Sequence, residues 1–169
     1  MIKKNEGIDL EKIFEQLNII EGDKILVSSS IVKLMVKFKK QNKKFDAASI
    51  IDLLINKIGP NGTLMFPTFN WDFCGEKGFD YYKTPSRTGS LSTLALRRKD
   101  FQRTKNPIYS FAVTGKDKEL ICDLEHHSGF GLDSPFGYLI ENHGKNLFIG
   151  LNYKIGGFSF HHVAEEAVG

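Results

Sequence analysis

The sequence predicts an α/β fold, a three-layer sandwich whose mostly parallel or mixed central sheet is covered by helices on both faces. Stretches with helical spacing alternate with short apolar runs along the chain, and a sheet covered on both faces is what such alternation produces. The size agrees, since 169 residues, 41% of them hydrophobic, suffice for one sizeable core in one domain.

The elements follow in order. Leu10, Ile13, Phe14 and Leu17 recur at helical spacing behind Asp9, a good N-cap, and Gly22 follows where the pattern ends. Residues 24–30, KILVSSS, read as a buried strand opening into a polar loop. Asp46 caps a second helix carrying Ala47, Ile50, Ile51, Leu54 and Ile58, which Gly59 and Pro60 stop. A second strand, TLMFPTF, spans residues 63–69. The aromatic, polar and glycine-containing stretch from Asn70 to Arg87 has no clear period and is predicted to be a long loop of the kind that binds ligands. GSLSTLALRRKD is helical with Ser90 as its cap, and residues 106–115 are the third strand. A short helix is expected over Asp117 to Leu124 and another over Pro135 to Asn142, framed by Asp133 and Gly144. Residues 145–151 form the fourth strand, and FSFHHVAEEAV begins a last helix.

Composition narrows the function. Cys74 and Cys122 lie far apart and outside any CxxC spacing, which excludes a disulfide framework and a recognisable zinc motif and suggests a reducing, cytoplasmic setting. Charged residues follow the basic start, where a signal peptide needs an apolar stretch, and no segment approaches ~18 consecutive apolar residues. A soluble protein without membrane attachment is expected. The net charge of +3 hides two basic islands, Lys33 to Lys44 and Arg97 to Lys105, which carry eleven positive charges and one negative one. The remainder is acidic, a division that suits an anionic cofactor and an amine substrate; solvated helix faces and loops are the plainer account. Nucleic acid fits less well, because neither island is interleaved with aromatics.

The densest ionisable cluster is His161, His162, Glu165 and Glu166. On a helix His162 lies one turn from Glu165, and an imidazole oriented by a carboxylate is the usual general base near neutral pH. Ordinary pairs at a solvated helix end would look the same. Metal binding needs three or four converging ligands, and His126, His127 and His143 show no metal spacing. Ser28, Ser29 and Ser30 end a strand where hydroxyl and backbone donors can meet a phosphate or an amide. Arg87 lies just before a helix start, so its guanidinium and the free N–H groups of the first turn can share one anion. The P-loop and dinucleotide-binding signatures are both missing.

The order of these segments resembles that of the aminoglycoside 3-N-acetyltransferases. From Gly22 onward, GDKILVSSSI is similar to the family's strand and HSSL turn, GPNGTLMFPTF to its GPxGTLxxPTF strand, and TPSRTGSL to its PSRxGxL segment. NPIYSFAVTG is similar to HPxxSFAAxG, DSPFGYL to SPxGxL, and FSFHHVAEE to TSxHxxE.

The resemblance implies direct acetyl transfer from acetyl-CoA, as co-substrate and without a metal, to a primary amine of an aminoglycoside or other amino sugar. His162 matches the family's general base and Glu165 its orienting carboxylate. Ser29, Ser30 and Ile31 would meet the pantetheine or pyrophosphate, Arg87 and Thr88 would lie on the cofactor side, and Lys33 and Lys37 would contact phosphate. By charge rather than by motif, Asp72, Glu76 and Asp80 suit the amine substrate, with Trp71 and Tyr81 placed to stack on sugar rings. Ser28 and Asn106 stand where the family has histidines, and the family continues for roughly a further third of its length. Residues 1–169 are thus expected to be a single acetyltransferase-like domain lacking the C-terminal part of the family fold, with homo-oligomerisation through exposed apolar surface as one consequence. A non-catalytic CoA-binding remnant and a polyanion-binding module are the alternative readings.

Overall fold

A computed structural model describes residues 8–152 and 159–169. The strands are β1 (Lys24–Ser29), β2 (Thr63–Pro67), β3 (Gln102–Arg103), β4 (Phe111–Gly115) and β5 (Lys145–Ile149), and they form one sheet in the order β3-β4-β2-β1-β5. β1 pairs in parallel with β2 and β5, whereas β4 runs antiparallel to β2 and β3. The helices are α1 (Leu10–Gln16), α2 (Val32–Lys40), α3 (Ala47–Ile58), α4 (Ser90–Arg97), α5 (Lys118–Asp123), α6 (Pro135–Glu141) and α7 (His161–Val168).

Successive side chains of a strand point to opposite faces, so each central strand serves two cores. Ile25, Val27, Leu64, Phe66 and Ala112 face one core, closed by Phe14 of α1, Ile50, Ile51, Leu54 and Ile58 of α3, and Leu91 and Ala95 of α4. Leu26, Met65, Phe111 and Val113 face the other, closed by Ile121 and Cys122 of α5, Phe136 and Leu139 of α6, and Val163 of α7. The sheet is mixed and helices cover both faces, as the sequence predicts. Among the described residues no helix is long and apolar enough to cross a membrane.

Local chemistry sets the element ends. Asp9 and Asp46 accept hydrogen bonds from Lys12 N and Ala48 N, and Ser134 Oγ accepts from Phe136 N and Gly137 N, so three helices begin on side-chain caps. α4 instead begins behind Gly89, at φ 108°, with no side-chain cap, so Ser90 is its first residue and not its cap. β4 starts at Phe111 rather than at residue 106, because Asn106 Oδ1 accepts from Ile108 N (3.0 Å) and Tyr109 N (2.8 Å) and holds a turn where an extended strand was expected. The first basic island contains an unpredicted helix, α2, which has no side-chain cap to announce it and is anchored through buried Phe38.

Three of the five basic residues of the second island, Arg98, Arg103 and Lys105, are engaged within the fold. Arg98 pairs with Asp52 (2.6 Å) and Asp100 (2.8 Å), and Lys105 lies near Asp123 and Glu125. Arg103 is 3% exposed and donates to Ser110 Oγ and to the carbonyls of Thr84 and Thr68. Its guanidinium also covers the Phe79 ring at 4.9 Å. The loop over 70–87 is therefore an ordered strap, tied to the sheet by a buried cation.

On the second face, Phe136 has ring partners in Phe69 (6.5 Å), Phe111 (5.1 Å), Phe130 (5.2 Å) and Phe160 (5.7 Å). Phe136→Ala should therefore lose about 3–5 kcal/mol of unfolding free energy. Leu132→Ala, at a side chain 68% exposed, should stay within about 0.5 kcal/mol of the parent. Urea denaturation with unchanged slopes checks both values.

Candidate functional site

The chain leaves the carboxyl end of β1 and crosses one face through α3 to β2, while β5, the other neighbour of β1, is reached from α6 on the opposite face. Crossovers on opposite faces open a crevice beyond the strand ends. A hollow of about 190 Å³ lies there, with Ser28, Ser29, Trp71, Thr88, Leu151 and Ser159 in its lining. Close main-chain packing shapes it. Gly150 has φ +67° and a Cβ there would overlap the Ser30 carbonyl, so only glycine fits where the chain leaves β5.

The structure brings several of the predicted residues together. Ser29, Thr88 and Trp71 share the hollow. The Thr88 hydroxyl donates to the Pro67 carbonyl, and this contact ties the strap to the end of β2. Ser30 follows β1 directly, its N–H donating to Ile149 O (2.8 Å). Ile31 is 4% exposed and its side chain belongs to the core, so it offers the crevice only its main chain. Lys33 stands in the first turn of α2 and Lys37 one turn later, both exposed.

Residues assigned separately to cofactor and substrate prove to be linked. Arg87 Nη2 donates to Asp72 Oδ2 at 2.8 Å, and this hydrogen bond holds the Asp72 carboxyl below the usual carboxylate range. Arg87 also borders an open hollow of about 570 Å³ with Gly89, Ser90 and Thr93, at the start of α4. Asp80 accepts from Tyr82 N and Lys83 N (2.9 Å each), which lowers its pKa and makes it a turn-former. Glu76 is exposed at φ 62°, just after the short 3-10 turn Asp72–Gly75. The Tyr81 hydroxyl donates to the Arg103 carbonyl.

On α7, His162 Nδ1 lies 2.6 Å from Glu165 Oε2. That hydrogen bond pulls the Glu165 carboxyl below its ordinary pKa, so the oxygen is the acceptor and Nδ1 carries the proton. In the neutral imidazole Nε2 then bears the lone pair, the tautomer a proton acceptor needs. The ring is set against Phe130 at 5.0 Å, the Ser128 hydroxyl donates to Glu166, and Val163 is buried beneath the helix. Ser159, whose carbonyl accepts from His162 N, lines the hollow. Sequence reasoning missed Ser159 and Leu151; the position of Ser159 just ahead of the two histidines was the available signal.

The family description Aminoglycoside 3-N-acetyltransferase matches residues 26–169. Among solved structures, AAC-IIIb in a binary complex with CoASH is 22% identical with TM-score 0.76, and the match covers 93% of this chain and 63% of that one. The YokD protein from Bacillus subtilis is 23% identical with TM-score 0.77, covering 92% and 68%. Sisomicin-bound AAC-VIa is 19% identical with TM-score 0.76, covering 92% and 62%. The chain thus spans about two thirds of the length of these structures. No curated protein sequence matches it.

The Arg87–Asp72 pair has a direct spectroscopic consequence. In Arg87→Ala the Asp72 carboxyl should titrate higher than in the parent, because the main group favouring its charged form is gone while Lys77 remains nearby. Carbon-detected NMR titration of the side-chain carboxyls checks this, with Asp80 unmoved as the internal control.

Proposed function

Because the chain belongs to the aminoglycoside 3-N-acetyltransferase family, we propose that it transfers the acetyl group of acetyl-CoA directly to a primary amine of an aminoglycoside or other amino sugar, with His162 as general base. The observation that carries this reading is the His162–Glu165 pair, whose geometry leaves the Nε2 lone pair available one turn from a hollow at the ends of the parallel strands. Relatives of the same fold bound to CoASH and to sisomicin support both halves of the reaction. The two unpaired cysteines, Cys74 and Cys122, fit a reducing cytoplasmic setting.

The steps follow from the chain's own groups. The neutral amine nitrogen attacks the thioester carbonyl carbon, and Nε2 of His162 takes the proton the nitrogen sheds as the C–N bond forms. The tetrahedral intermediate collapses with cleavage of the C–S bond, and the imidazolium returns the proton to the departing thiolate, so the products are an amide and the free thiol. Glu165 keeps the ring in its working tautomer and stabilises the imidazolium. The cofactor enters over Ser29, Ser30, the Ile31 main chain and Thr88. Arg87 and the uncapped start of α4 offer donors to its phosphates, and Lys33 and Lys37 add positive charge nearby. The amine substrate approaches Asp72, Glu76 and Asp80, with Trp71 as a stacking surface.

Calorimetric titration with CoA followed by a thiol-release assay over a panel of aminoglycosides tests the proposal. Saturable one-to-one CoA binding and transfer to a panel member are expected. His162→Ala should keep CoA affinity within about twofold and lose transfer by about 10²–10⁴-fold. Transfer undiminished in that variant overturns the base assignment. CoA binding without transfer to any amine leaves a cofactor-binding protein, and no CoA binding by folded protein overturns the reading entirely.

A further inference from the structure

We infer that His161, His162 and Glu165 form a three-ligand site for a borderline divalent transition ion, Zn²⁺ being the simplest, and that the bound ion removes the lone pair from His162 Nε2. Among the described residues this is the one group of histidine, cysteine and carboxylate side chains whose ligand atoms converge, all lying within 4.8 Å of one another. Glu165 is the hinge of the set. Its Oε2 is 2.6 Å from His162 Nδ1 and its Oε1 is 3.9 Å from His161 Nε2. Donor atoms around a tetrahedral zinc ion stand ~3.3 Å apart, given bonds of about 2.0–2.1 Å, so these two separations bracket what the ion requires.

The spacing follows from the helix. Residues three and four apart lie on the same face, so Glu165 is within reach of both histidines, whose rings already lie 3.9 Å apart. His161 falls on the variable position of the TSxHxxE pattern, so the third ligand is an addition of this chain beside the pair already described. The platform is held in place: His162 rests on Phe130, Val163 is buried, and Ser128 binds Glu166. The three side chains remain 45–66% exposed, which lets an ion enter and leaves its further positions to water. Two imidazoles and one carboxylate are the donor set of a borderline ion, whereas Mg²⁺ and Ca²⁺ prefer oxygen alone.

Binding changes the imidazole as well as occupying it. With the ion on Nδ1, a neutral ring must carry its proton on Nε2, which becomes a donor. Ion binding stands independently of the proposed acetyl transfer; the consequence that the ion would suppress transfer rests on that reading.

The test uses the full chain without CoA or amine. Calorimetry should show one Zn²⁺ per chain and no saturable binding of Mg²⁺. His161→Ala and Glu165→Gln should each weaken Zn²⁺ by more than the ~10–100-fold that loss of an outer-shell partner alone costs. His161→Asn serves as a second, milder probe at the same exposed position and should also weaken the ion. In ¹⁵N NMR of the imidazole, Nε2 of His162 should switch from an unprotonated to a protonated shift as Zn²⁺ is added. No saturable Zn²⁺ binding, or binding equally tight in all three variants, overturns the site. An Nε2 that stays unprotonated with the ion bound overturns the effect on His162. Absence of acetyl transfer in metal-free protein whose ion site passes the calorimetric and NMR tests counts against the proposed function and not against the ion site, whereas transfer undiminished at saturating Zn²⁺ overturns the suppression.

Discussion

The arrangement depends on a column of aromatic rings that crosses from the sheet to the last helix. Phe111 on β4 meets Phe136 on α6, Phe136 stacks on Phe130, and Phe130 meets the ring of His162. The rings are held by the apolar area they remove from water and by edge and stacked contacts worth about 0.5–1.5 kcal/mol each beyond that area. A short helix of eight residues is marginal by itself, so its position must come from such packing. The orientation of the His162–Glu165 pair is therefore a property of the second core rather than of α7.

The crevice at the end of β1 is shaped by a different constraint, the need to satisfy main-chain polar groups where strands stop. The carbonyl of Thr84 in the strap and that of Thr68 at the end of β2 converge with the Ser110 hydroxyl, and Arg103 answers them with a planar fork of donors. Burial disfavours the charged guanidinium and lowers its pKa, a cost that carbonyl hydrogen bonds and the Phe79 ring offset. An ammonium in its place would have three donors and no plane to lay on a ring. Trp71 and Thr88 reach the hollow because this anchor holds the strap that carries them.

Much of this was legible in the sequence, for identifiable reasons. Asp9 and Asp46 announced their helices because capping is a local hydrogen bond written in the residue type, and the Asp133 start announced a third helix whose cap is Ser134, one residue on. The apolar runs announced β1 and β2 because their central residues are buried on both faces, and β5 because Leu147 and Ile149 pack on the first core. The HVAE spacing announced the His162–Glu165 pair because i,i+3 contact is fixed by the helix. What was not legible depended on tertiary partners. Arg103 reads as one more basic residue in an island until its carbonyls are known, the two-residue β3 has too few positions to show a period, and the link between Arg87 and Asp72 spans fifteen residues of irregular loop. His161 and Glu165 stand in one cluster in the sequence, but the spacing alone does not show that their ligand atoms converge with that of His162.

Charge placement separates the lysines that helix formation accounts for from one that it does not. With Arg98, Arg103 and Lys105 engaged internally, the exposed positive charge of the two islands concentrates on α2 and the turn after it. Lys37, Lys39 and Lys40 occupy the last turn of α2, where the helix dipole favours cations by about 0.3–1 kcal/mol each. Lys33 lies in the first turn, where the same dipole opposes it and no acidic residue compensates. Local stability thus explains Lys37 and penalises Lys33. Lys33 is also the lysine of α2 that follows the carboxyl end of β1 most closely in sequence, and at physiological salt an exposed charge acts over only ~8 Å, so a phosphate it serves must lie close by. An anion held at the crevice would oppose the positive end of α2 and relieve that penalty, so the argument for a phosphate contact is stronger at Lys33 than at Lys37, although the two are equally exposed in the sequence pattern.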